Sequence, residues 1–171
     1  MGSGMSGSYS QTKGGSQPYS ELYSVFGSEL RKDKENPDIY GDSGYFKNPS
    51  AISLEEAIDG NRFMLAGHRI EGALTYVLDK SGNIIIGKRS NPNSKLKRAP
   101  HPTLIGGKDP QVQCAGIIVF RKGRIISVDN RSGHFRPDIK SLDKVIEVLD
   151  KLYKKNPNLF DKKSIWRKDH D

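Results

Sequence analysis

Residues 73–88, ALTYVLDKSGNIIIGK, decide how this 171-residue chain reads. A run rich in β-branched and aromatic side chains meets Lys80-Ser81-Gly82, and three consecutive isoleucines answer it. Two β-rich runs around a glycine turn predict a hairpin. Residues 112–120 (VQCAGIIVF) and 124–129 (RIISVD) flank Arg121-Lys122-Gly123 and predict a second one. Between the two hairpins, HPTLIGG at 101–107 reads as a short strand running into a double-glycine turn.

The flanks read as helix and tail. Leu142, Val145, Ile146, Leu149 and Leu152 recur at spacings of three and four, which predicts a helix over about 141–154 with one apolar face. Pro157 prevents its continuation. Ser53-Leu54-Glu55-Glu56 fits a capping box and predicts a short helix ending near Gly60. Residues 20–31 allow another short helix, with Leu22, Tyr23 and Phe26 on one face. The reading is α+β: an antiparallel sheet of about five strands with an N-terminal helix and a C-terminal helix. Residues 1–50 read as a flexible segment and linker, because 1–18 are Gly/Ser-rich and 32–50 are polar and turn-rich. Residues 51–156 read as the folded domain that would carry any catalytic site, and 157–171 as a basic, frayed tail. Met1 to Gly4, ahead of a second Met, read as an expression scar.

Composition narrows the function classes. Hydrophobic residues make up 34% of the chain. No apolar run approaches the roughly 18–20 residues of a membrane span. The N-terminus lacks the apolar core of a signal peptide. A single cysteine, Cys114, excludes an internal disulfide framework and a multi-cysteine zinc site. The four histidines, at 68, 101, 134 and 170, have no local metal-ligand spacing. Charge is uneven. Residues 1–60 hold five Lys and Arg against nine Asp and Glu, a net −4, while 61–171 hold 23 against 11, a net +12. Such a basic domain attracts phosphates and acidic partners.

Two segments fit chemistry better than plain structure. His101-Pro102-Thr103 leads into Gly106-Gly107, and Ser132-Gly133-His134-Phe135-Arg136-Pro137 follows a strand. Glycines beside polar side chains let a ligand approach the backbone. Two histidines beside cations suit RNA cleavage. One takes the proton from the 2′-hydroxyl, the other protonates the leaving oxygen, and arginine or lysine holds the phosphate charge. The structural alternative is that His101 caps a strand end and His134 fixes a turn. His68 and His170 are weaker candidates. Cys114 with His134 as base is a further option, set against its place in an apolar run that suits a small buried residue. The sequence has no GxxxxGK[ST] phosphate loop, no GxGxxG opening a helix and no GxSxG elbow.

Tyr76-Val77-Leu78, Gly82, Ile86-Gly87, residues 101–107, Cys114-Ala115-Gly116-Ile117, Gly123-Arg124-Ile125 and residues 132–137 together carry a resemblance. The region over about 73–150 resembles a C-terminal toxin domain of bacterial polymorphic toxins with a Ser-Gly-His-Tyr/Phe-Arg-Pro motif. A related segment occurs in plant calmodulin-binding IQ-motif proteins, although no IQ helix is apparent here. The sequence departs from that family at Pro102 and Thr103, where Ser-Ser is favoured, and at Cys114, where a smaller residue is favoured. The resemblance implies a domain delivered into a competing cell and held inactive in its producer by an immunity protein.

Three readings compete. The leading one is a secreted interbacterial toxin, acting in the target cell's cytoplasm as a metal-independent ribonuclease that needs no cofactor. In it His101 and His134 are the acid/base pair, and Thr103 and Ser132 orient substrate. Arg136, Lys88, Lys108 and Arg131 hold phosphate. Its partners are RNA and an acidic immunity protein, with no membrane and no DNA. The second is an ADP-ribosyltransferase toxin using NAD. Against it, no Glu lies near a late strand: Glu147 falls in the terminal helix and Glu71 before the first strand. The third is a non-enzymatic basic interaction module, with residues 132–137 as a structural corner.

Overall fold

The structure, a computed structural model, describes residues 15–164. Helix α1 (Gly27–Lys34) is followed by a small hairpin of β1 (Tyr40–Gly41) and β2 (Gly44–Tyr45). Four short strands come next: β3 (Ile52–Ser53), β4 (Ile58–Asp59), β5 (Arg62–Leu65) and β6 (His68–Arg69). Then come the long strands β7 (Gly72–Leu78), β8 (Ile84–Gly87), β9 (Cys114–Arg121) and β10 (Arg124–Val128), and finally helix α2 (Leu142–Lys155). Five strands form one antiparallel sheet in the order β10-β9-β7-β8-β3. The α+β architecture read from the sequence is the one observed. β4, β5 and β6 form a separate small antiparallel sheet.

Alternation along the strands explains the two layers. Leu74, Tyr76 and Leu78 of β7, Ile84 and Ile86 of β8, and Cys114, Ile118 and Phe120 of β9 face one way. Leu142, Val145 and Leu149 of α2 close that core. The intervening residues Val77 and Ala115 face the other way, under Tyr23, Tyr45, Leu104 and Phe135. Each large side chain buried in this manner contributes about 1.5–3 kcal/mol relative to exposure. The sheet therefore has a helical cover on one face and an irregular, polar-rich cover on the other. The candidate site lies in the second cover.

The structure corrects several local expectations. Residues 101–107 were expected to be a strand. His101–Leu104 is instead a 3₁₀ turn, with proline in its first turn and Thr103 Oγ1 donating to the Pro100 carbonyl at 2.6 Å. A proline there removes no needed donor, and the hydroxyl bond tightens the turn. The fifth strand of the sheet is β3. The helix expected at 53–60 is a 3₁₀ turn, Glu55–Ala57. Ser53 Oγ does accept from the Glu56 N–H at 3.2 Å. Ser53 is already paired with Ile85 of β8 and Ile58 opens β4, so the turn cannot propagate.

The helix expected at 20–31 starts at Gly27, because Tyr23 is drawn out into a two-bond backbone bridge with Val112. Residues 15–50 were expected to be flexible linker. Here Tyr23, Val25, Ile39 and Tyr45 are buried against the sheet. The rest of that expectation, residues 1–14, lies outside the described residues. In the tail, Leu159 and Phe160 are buried and Phe160 bridges Ile125. Arg121 donates two hydrogen bonds to Asp161, at 3.1 and 3.2 Å. Docking, rather than fraying, describes 157–164. Ile165 and Trp166 lie outside the described residues.

Among the described residues no helix is long and apolar enough to cross a membrane.

A candidate active site under the basic loop

The 3₁₀ turn at 101–104, the loop at 130–137 and α1 converge on the face of the sheet opposite α2. His101 sits over β9. Its Nε2 lies 2.8 Å from the Gly116 carbonyl, and its Nδ1 lies 3.1 Å from Ser132 Oγ. A carbonyl only accepts, so Nε2 carries the proton, and Nδ1 accepts from the Ser132 hydroxyl. Ser132 Oγ in turn accepts from the Phe135 N–H at 3.2 Å. Burial pushes the His101 pKa down to about 4. The Gly116 hydrogen bond opposes that shift, while the positive charges of His134 and Arg89 add to it.

His134 lies nearby and is held differently. Its Nε2–H donates to Asp33 Oδ2 at 2.9 Å. Tyr45 donates its hydroxyl to the same oxygen at 2.6 Å, and Glu29 lies 3.9 Å from the imidazole. Burial pulls the Asp33 carboxyl upward. The hydrogen bonds from His134 and Tyr45 outweigh it, with the charges of His134 and Arg98 helping, and Asp33 stays below its ordinary value. The arrangement fixes the imidazole tautomer: Nε2 is protonated and anchored, so Nδ1 is the basic nitrogen. That Nδ1 makes no hydrogen bond to the described residues.

The other expected site residues are placed as follows. Thr103 is fully buried, and its hydroxyl is spent on Pro100. It braces the 101–104 turn, and in this arrangement its hydroxyl faces the Pro100 carbonyl and not solvent. Ser132 is buried and serves His101 and Phe135, not a substrate. His101 is 7% exposed, about as buried as His134 at 8%, and with both ring nitrogens engaged it holds the 132–137 loop to β9. Arg136 adopts a positive φ of 45°. Its guanidinium lies 4.0 Å from the Phe26 ring centroid, donates to the Gly133 carbonyl at 3.0 Å and pairs with Glu29 at 3.6 Å. It ties α1 to the loop, where a phosphate contact was expected. Arg131 is largely exposed and lies 3.8 Å from Asp129. Lys88 and Lys108 are exposed.

The basic loop closes on itself beside this cluster, with Leu96 and Ala99 buried in the same layer. Ser90 and Arg98 bridge across it, and Ala99 donates its N–H to the Arg89 carbonyl at 2.9 Å. Arg89 and Arg98, both exposed, are the cations whose charges reach His101 and Asp33 respectively.

Sequence reasoning missed Asp33, Tyr45 and Glu29. They lie in a stretch read as helix end and linker, and no local motif marks them. Among the described residues no three His, Cys, Asp or Glu side chains form a metal-ligand group. No family model matches the chain, and no curated protein or solved structure shows significant similarity to it.

Proposed function

We propose that this chain is an interbacterial toxin domain that cleaves RNA without metal, with His134 as its general base. The observation that carries this reading is the 2.9 Å Asp33–His134 contact beside a basic loop whose Arg98 and Arg89 charges reach Asp33 and His101. A carboxylate that orients an imidazole and stabilises its protonated form is the standard support for such a base. His134 Nδ1 takes the proton of the 2′-hydroxyl. The 2′-oxygen attacks the adjacent phosphorus, the bond from phosphorus to the 5′-oxygen breaks, and that oxygen takes a proton from water. Arg89 and Arg98 offset the charge gathering on the phosphate. The resemblance of residues 132–137 to polymorphic-toxin domains and the net +12 over 61–171 support delivery into a competing cell and restraint by an acidic immunity protein.

Incubation of the purified full chain with total RNA in excess chelator tests the proposal. Fragments ending in 2′,3′-cyclic phosphate are expected, and intact RNA overturns it. A parallel incubation with labelled NAD tests the ADP-ribosyltransferase alternative, which labelled protein would favour.

A second reading has its own supporting observation. Ser132, His134, Phe135 and Arg136 are all engaged in holding α1 and β9 together. That is what a structural corner in a non-enzymatic basic module would show. RNA bound and left intact favours this second reading.

A further inference from the structure

We propose that Phe46 and the lysines around it form a stacking platform for one base of single-stranded RNA, separate from the histidine cluster. Phe46 is 37% exposed, unusual for a phenylalanine, and follows directly on β2. Its neighbour Tyr45 points inward to Asp33, so the two successive side chains leave the strand on opposite sides. The Phe46 ring is seated by design of the hairpin. It lies across Gly41, where a Cβ would come within 2.8 Å of the ring, and the Phe46 N–H donates to the Ile39 carbonyl at 2.9 Å. The tip of the ring thus sits against the Gly41 backbone.

The charge around the ring is suited to a phosphate chain. Lys95 Nζ lies over the ring, 5.7 Å from its centroid, on a long exposed side chain that a stacking base would displace toward its phosphate, and Lys47 is the next residue in the chain. Lys108 follows Gly107, which is bridged to Tyr45, and Lys88 is tied to the same region through Asn48, whose side chain donates to the Lys88 carbonyl at 2.9 Å. All four lysines are exposed. Asp42, at the hairpin tip, is the acidic neighbour in sequence. An aromatic face beside a groove of cations is how proteins hold single strands without reading sequence, because every base offers a π-face. An acidic protein would use the lysines but has no need of the half-exposed ring. This choice of RNA rests on the reading proposed above.

The test is binding of a labelled 2′-O-methyl RNA 12-mer, which lacks the 2′-hydroxyl that cleavage needs, to the full chain. Phe46→Ala is expected to weaken binding roughly tenfold and Phe46→Trp to restore it. Lys95→Ala should weaken binding and flatten the salt dependence by about 0.7 in logarithmic slope. Lys155→Ala, on α2 across the sheet, should do neither. Binding of polyphosphate, which has no bases, should not respond to Phe46→Ala. In the Phe46→Trp protein, indole fluorescence should quench on adding the oligonucleotide beyond any change seen in the unsubstituted chain, whose one tryptophan is Trp166, a readout independent of any change in stability. Unchanged oligonucleotide binding in folded Phe46→Ala, absence of quenching, or a Phe46 dependence seen only with an acidic protein overturns the platform. Its failure is distinct from failure of the cleavage reading: RNA cut equally well by Phe46→Ala removes the platform alone, and Phe46-dependent binding without cleavage removes the nuclease alone.

Discussion

His101 and Ser132, 31 residues apart, share one 3.1 Å hydrogen bond, and its direction is set by a third group, the Gly116 carbonyl. That carbonyl holds a proton on Nε2, and burial, which pushes the ring's pKa down to about 4, keeps the imidazole neutral near pH 7, so Nδ1 accepts from the serine hydroxyl. His101 is therefore a neutral spacer between β9 and the 132–137 loop.

A pH dependence follows. The His101 pKa is about 4 in the folded protein and about 6.5 in the unfolded chain. Below the higher value the unfolded chain binds a proton that the folded protein refuses. Stability should therefore fall as pH drops from about 6.5 to about 4, by up to about 1.4 kcal/mol per pH unit from this group. Replacing His101 by Asn should remove that slope, while costing about 1–3 kcal/mol at pH 7 through the hydrogen bonds it disturbs. Urea denaturation of both proteins across that range decides it. Equal slopes would show that His101 does not carry the effect.

Asp33 behaves oppositely. Its carboxyl is depressed, so its contribution is present above about 3.9, its ordinary unfolded value, and is lost only on falling through the lower folded value. It stays ionised throughout the neutral range. Asp33→Asn keeps an acceptor for Tyr45 but removes the charge behind His134. RNA cleavage should drop by roughly 10²–10⁴, as for a lost carboxylate in a comparable dyad. His134→Ala should fall similarly, and the double variant little further, because the two act as a unit. His101→Asn, compared at equal folded fraction, should keep most of its rate. Cleavage assays paired with thermal melts check all four variants, and a folded Asp33→Asn protein with full activity would remove His134 as base.

Much of this architecture was legible from side-chain period. The β7–β8 and β9–β10 hairpins and α2 each carry their signal within a dozen or so neighbouring residues, and alternation or helical spacing is a local property. The site was half legible. His101, Ser132 and His134 stood out as polar residues among glycines, yet their roles depend on what faces them. Gly116 lies 15 residues from His101 and Asp33 lies 101 from His134. Partners at such separations leave no mark on a local pattern. Residues 15–50 misled for a related reason. Tyr23, Val25, Ile39 and Tyr45 are too widely spaced to show a period, and each is buried through a separate contact with the sheet's open face.

Cys114 gives a simple chemical test of the fold. It is fully buried, and Tyr76 Oη lies 3.6 Å from its sulfur. Burial pushes its thiol up to about 12, against the smaller lowering effect of the Tyr76 hydrogen bond. A thiol so placed is neither accessible nor ionised at pH 8, where thiolate is the reactive form. Native protein should resist iodoacetamide for hours, while protein in strong denaturant should be labelled within minutes. Rapid labelling of the native chain would place Cys114 elsewhere than the α2-facing core and would reopen its use as a nucleophile.

The proposed inhibitor can be argued from the same exposures. Of the two basic stretches, 131–136 offers mainly Arg131, since Arg136 is folded onto Phe26 and Glu29. Residues 88, 89, 95, 97 and 98 are all exposed cations. A cognate immunity protein should therefore present an acidic face to the 88–98 loop and cover Arg89 and Arg98. Its association should be electrostatically steered, slowing as salt rises toward physiological strength and beyond. Arg89→Glu with Lys97→Glu should slow association by about tenfold or more while changing dissociation less, because exposed rim charges act chiefly on encounter. Arg131→Glu should have a smaller effect. Stopped-flow association at several salt concentrations separates these outcomes. A tight inhibitor whose association ignores both salt and the loop charges would show that the basic loop is not the surface it covers.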